Sequence, residues 1–153
     1  MSWAAHDLEP YVIQKELGKR VAFVPLLVGS YAPDMTSKWF VYGIGLAGIE
    51  LKADNPAQFH RGWPGVGFTH SLAFGVAVAL VVYAVGRKPV VAYSFMIGQW
   101  AHAFTDLLDS VGTMIAFPFT THVYSLGTWR YAAEAGRLGD AAAEPRIDRD
   151  VPR

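Results

Sequence analysis

The chain has 153 residues, enough for one domain, with a formal net charge of zero and no cysteine. Zero net charge supplies no basic field for nucleic acid, and the lack of cysteine excludes disulfides and thiolate metal ligands. Hydrophobic residues make up 52%, but residues 69–86, 89–105 and 110–129 contain no Asp, Glu, Lys or Arg, whereas nine of the 22 residues in 132–153 are charged. Those charge-free runs approach the roughly 20 residues that cross a hydrocarbon core. The first residues lack the basic start and apolar run of a signal peptide, so internal segments are expected to place the protein in a membrane.

In chain order, residues 3–17 read as a polar amphipathic helix with Pro10 near its first turn and Gly18 as its stop. Residues 21–31 form an apolar run ending where Pro33 disfavours helix at Ala32, and Asp34 reads there as a cap of the next helix. Residues 39–49 are a short glycine-rich apolar run, and 54–67 read as a loop punctuated by Asn55-Pro56, Gly62, Pro64, Gly65 and Gly67. Residues 72–86 and 90–109 predict a helical hairpin about Arg87-Lys88-Pro89, and 111–131 close the helical part with a kink at Pro118. The expected fold is all-α: a small membrane-embedded helical bundle over residues 1–131, followed by a polar, mobile tail over 132–153. Trp3, Trp39, Trp63 and Trp129 lie near run ends, as interfacial anchors do. A buried all-helical soluble core is the other reading of the same runs.

Polar residues inside these runs are the chemical signal. Gln99, His102, Asp106 and Asp109 are spaced by three, four and three residues, which puts them on one face of an otherwise apolar helix. Ionisable groups there are costly unless paired, wetted or bound to a cation. Imidazole and carboxylate at i, i+4 suit two ligands of one zinc, manganese or similar ion, although His102 and Asp106 also read as a hydrogen-bonded pair inside a bundle. A second cluster, His60-Arg61-Gly62-Trp63-Pro64-Gly65-Val66-Gly67-Phe68-Thr69-His70-Ser71, favours ligands, because its glycines let His60 and His70 converge. Arg61 adds a bidentate donor for phosphate or carboxylate. His122, beside Thr120 and Thr121, reads as a hydrogen-bonded packing residue.

Folding the chain into hairpins about Gly18 and Arg87-Lys88 sets His70 level with His102 and Asp106, and His6 level with Asp34. Lys15, Lys19, Arg20, Arg87, Lys88 and Arg130 collect at the other end, which the positive-inside tendency makes cytoplasmic and the His/Asp end extracytoplasmic.

The motifs Gly29-Ser30-x-x-Pro33-Asp34, His60-Arg61-Gly62, Thr69-His70-Ser71 and His102-x-x-x-Asp106-x-x-Asp109-Ser110 resemble the YdjM-type inner-membrane metal-dependent hydrolases over residues 6 to about 120. Residues 64–67 lengthen that family's His-Arg-Gly-x-Thr-His-Ser pattern, and Met35-Thr36 follow Asp34 where the family has Asp-x-Asp. The order of the residues is also similar to zinc-dependent phospholipase C and P1 nuclease, an all-α group acting on phosphoesters. The resemblance implies Asp34, His70, His102 and Asp106 as metal ligands, with His60 and His6 as further ones. It implies one or two divalent ions, zinc first with manganese or magnesium as alternatives, and hydrolysis of a phosphorylated or lipid-linked substrate at a bilayer. Asp109 is then expected to orient His102 or act as base, and Arg61 with Lys38 to neutralise the phosphate. The contrasting expectation is a non-enzymatic membrane protein whose His/Asp cluster binds or relays ions or orders the bundle.

Overall fold

The computed structural model describes residues 3–128. The tail expected over 132–153 and Trp129 lie outside them. In chain order the elements are α1 (Trp3–Leu17), a 3-10 turn (Gly18–Arg20), α2 (Phe23–Tyr42), β1 (Ile44–Leu46), β2 (Ile49–Leu51), α3 (Pro56–Arg61), a second 3-10 turn (Gly67–His70), α4 (Leu72–Gly86) and α5 (Pro89–Leu108). The architecture is mostly helical, as expected, with α5 packed against α2, α4 and α1.

Local chemistry explains most boundaries. The Asn55 side chain accepts from the Gln58 N–H at 3.2 Å and Pro56 occupies the first turn, which starts α3 inside a stretch expected to be loop. Ser71 caps α4 by accepting from the Phe74 N–H at 3.1 Å. Arg87 closes α4 in the left-handed region, φ 52°, and Pro89 opens α5.

Three expectations are corrected. Pro33 does not end a helix: α2 runs through it, and Thr36 Oγ1 and Ser37 Oγ donate to the Pro33 carbonyl at 2.6 and 3.2 Å. Packing overrides the local preference, because a Cβ at Gly98 would collide with the Leu26 carbonyl and one at Gly29 with the Phe95 carbonyl. These two glycines let α2 and α5 approach backbone to backbone. Residues 39–49 are not one apolar run. They end α2 and open an antiparallel hairpin pairing Ile44 with Leu51 and Leu46 with Ile49, turned by Ala47 (φ 51°) and Gly48 (φ 82°). Residues 111–128 form no helix. Thr113 and Tyr124 pair through bonds of 2.8 and 2.9 Å, and Leu126 and Thr128 donate to the carbonyls of Leu107 and Leu108, folding this segment back on the end of α5.

Among the described residues no helix is long and apolar enough to cross a membrane, which corrects the expected spanning segments. The most apolar helix, α4, has 15 residues, about 22 Å of rise against a hydrocarbon core of about 30 Å. The interior is nonetheless inverted. Leu26, Phe95, Ala103 and Met114 are buried, but so are more numerous polar residues, whereas Val24, Val28, Leu80, Val81, Val85 and Phe104 are exposed.

Candidate metal centre

The donor-type residues of the polar interior gather in one cluster drawn from five segments: His6 on α1, Asp34 on α2, His60 and Arg61 on α3, His70 at the end of the second 3-10 turn, and His102 and Asp106 on α5. All are at most 5% exposed. The loop between His60 and His70 folds under α3. A Cβ at Gly67 would clash with the Arg61 carbonyl, so this glycine permits the approach. The two rings meet edge to face with centroids 4.9 Å apart, the convergence the glycines suggested.

The ring tips and carboxylates face one another. His6 Nε2 lies 3.2 Å from Asp106 Oδ1, and His60 Nε2 3.3 Å from Asp34 Oδ1. His102 Nε2 lies 3.3 Å from Asp106 Oδ2 and 3.6 Å from Asp34 Oδ1. For His70 Nε2 the corresponding distances are 3.6 and 3.9 Å. Two donors of one zinc ion, each bonded at about 2.0–2.1 Å in tetrahedral geometry, stand about 3.3 Å apart. Asp34 Oδ1, Asp106 Oδ2 and the Nε2 atoms of His60, His70 and His102 are buried without a hydrogen-bond partner, a costly condition that a cation would relieve. Three overlapping donor groups, His6–Asp34–His102, Asp34–His60–His70 and His70–His102–Asp106, each keep their atoms within 4.8 Å. The residues present fit a divalent ion.

For His6, His60 and His70 a neighbour at the outer ring nitrogen turns the inner one inward, whereas His102 Nδ1 is buried without a hydrogen-bond partner. His60 Nδ1 bonds Ser37 Oγ, His70 Nδ1 lies 3.1 Å from Thr69 Oγ1, and His6 Nδ1 lies 3.3 Å from Glu9 Oε1. Gln99 Nε2 donates to the carbonyls of Thr69 and Ser71 at 2.9 and 3.0 Å, fixing the backbone on both sides of His70. Glu9 and Ser37 escaped the sequence reading. Their only signal was helical spacing, three residues beyond His6 and three beyond Asp34.

Electrostatics differ around the ring. Burial opposes the charged form of His6, but hydrogen bonds to Asp106 and Glu9 outweigh it and raise its pKa to about 9. Burial holds His60 well below its ordinary value, assisted by the neighbouring His70 and Arg61. Burial also lowers His70 to about 4, only partly offset by Asp34 and Asp106.

Arg61 NH2 lies 2.8 Å from Asp106 Oδ1 and NH1 2.7 Å from Asp109 Oδ2. Asp109 Oδ1 accepts from the Val111 and Gly112 N–H groups, each at 2.8 Å. Asp109 therefore holds Arg61 and the turn after α5, and the donor groups do not include it. Lys38 is bonded to Asp34 Oδ2. His122 is exposed beside Tyr124, away from the cluster.

A helical fold with exposed apolar side chains around a buried His/Asp donor cluster defines a helical protein with a candidate metal centre. A family model described as YdjM inner membrane protein matches residues 8–143, and the chain belongs to that family. No curated protein and no solved structure matches, so the likeness to zinc-dependent phospholipase C and P1 nuclease is not shown.

Proposed function

We propose that this chain is a membrane-bound, metal-dependent hydrolase acting on a phosphoester in a lipid-linked or amphiphilic substrate. One observation carries the reading: imidazole nitrogens and carboxylate oxygens face each other at 3.2–3.9 Å, buried and short of hydrogen-bond partners. His6, Asp34, His60, His70, His102 and Asp106 would hold the metal, zinc by the mixed nitrogen and oxygen donor set, with manganese or magnesium as alternatives. A divalent ion there supplies Lewis acidity, lowering the pKa of water towards neutrality and polarising a phosphoryl oxygen.

The chain's own residues supply the rest. Glu9, Asp34, Asp106 and Asp109 outnumber the cations Lys38, Arg61 and protonated His6 within the cluster, an excess of negative charge that favours a divalent cation. Arg61 and Lys38 stand beside the donors and engage substrate phosphate by exchanging a carboxylate partner for it. Asp109 keeps Arg61 in place.

Lys15, Lys19, Arg20, Arg87 and Lys88 share one end of the bundle, where Tyr93 donates to the Arg20 carbonyl and Ala22 donates to Ser94 Oγ at 2.8 Å.

The test is elemental analysis of detergent-purified protein, wild type beside His102→Ala, followed by a phosphoester panel. Bound metal and turnover in wild type, both lost in the variant, are expected. Full turnover in folded, metal-free protein would overturn the reading. A non-catalytic protein that binds or relays ions is the second reading, favoured by the engagement of both Arg61 and Lys38 with carboxylates. It expects no turnover on any phosphoester.

A further inference from the structure

We infer that the centre holds two divalent ions sharing Asp34, an inference that rests on the metal-binding reading above. Six residues offer donors, more than the four a tetrahedral ion takes. A single octahedral ion would keep every donor pair within about 4.2 Å, twice a bond of about 2.1 Å, and so unite all six residues in one group. The donors instead spread over three overlapping groups: His60 with Asp34 and His70, His6 with Asp34 and His102, and His70 with His102 and Asp106 between them. No group contains both His6 and His60, which therefore mark opposite ends of the centre.

Asp34 belongs to both sides. Its Oδ1 lies 3.3 Å from His60 Nε2 on one side and 3.6 Å from His102 Nε2 on the other, and it has no hydrogen-bond partner. Its Oδ2 is bonded to Lys38, so the sharing runs through Oδ1 and Lys38 fixes the carboxylate that does it. Asp106, 3.2 Å from His6 and 3.3 Å from His102, completes the second side. One ion therefore takes Asp34, His60 and His70, and the other takes His6, His102, Asp106 and the same Asp34 oxygen.

The experiment uses full-length protein in detergent, stripped with chelator and reloaded with Mn(II) alone. Metal per chain is read by elemental analysis and the coupling between ions by electron paramagnetic resonance. Two Mn(II) per chain with an exchange-coupled spectrum are expected. His60→Gln and His6→Gln should each retain one uncoupled ion, their folding checked by far-ultraviolet circular dichroism. One ion in wild type overturns the pair and leaves the metal reading standing, whereas none overturns both. Two uncoupled ions overturn the sharing through Asp34, and so does a folded His60→Gln that keeps a coupled pair. If either variant unfolds, the wild-type stoichiometry and coupling decide alone.

Discussion

Glu9 shows how a residue outside a centre shapes it. Its carboxylate faces His6 Nδ1 at 3.3 Å, which turns the opposite nitrogen towards Asp106. Removing such a partner typically weakens metal binding about 10–100-fold. Glu9→Ala is therefore expected to raise the zinc dissociation constant by about that factor in calorimetric titration, with Glu9→Gln milder because its amide oxygen still accepts. His6 also links binding to pH. Without metal its pKa of about 9 keeps it protonated at neutral pH, and coordination must expel that proton. Zinc affinity should rise with pH up to about 9, with proton release visible as a dependence of the binding heat on buffer ionisation enthalpy.

Helix pairing rather than local propensity sets the position of Asp34. Gly98 and Gly29 allow α2 and α5 to touch, which carries Asp34 to the level of His102 and Asp106. Gly98→Val should force the helices apart and destabilise the protein by about 1–3 kcal/mol or more, read by chemical denaturation. The α4–α5 hairpin and the inward face of α5 were legible in sequence because helical spacing of polar residues in an apolar run has few other solutions. Continuation through Pro33 was not, since it depends on a partner helix distant in sequence. The Ala47-Gly48 turn was hidden because alanine carries no left-handed signal. The extended return at 113 and 124 was hidden because it is held by pairing across a loop, and its apolar residues resembled a continuing helix. At the site the inward-facing histidines could be inferred, but the commitment of Arg61 to two carboxylates required the three-dimensional arrangement.

At the scale of the whole molecule, the buried histidines give the metal-free protein a stability maximum. His60 and His70 bind protons more readily in the unfolded chain, so stability falls as pH drops below 6.5, the contribution of His70 being lost by about pH 4. His6 binds its proton more readily when folded, so its contribution is lost as pH rises from 6.5 towards about 9. Thermal melts of metal-free protein should peak near pH 6.5 and decline on both sides. The exterior gives a separate expectation. Leu80 and Val85 are 63% and 83% exposed, so Leu80→Glu with Val85→Glu should leave the centre intact but reduce recovery in the membrane fraction.

The origin of the donors in five chain segments has a mechanical consequence. His6 lies on the first helix and Asp106 on the last, and α1 reaches the interior through His6, with Ser30 Oγ donating to the His6 carbonyl at 3.3 Å. An ion gripped by both residues would clasp the first helix to the last, closing the longest loop in the fold. Hydrogen exchange should then slow in α1 when zinc is added, so that loading the centre latches the whole bundle shut.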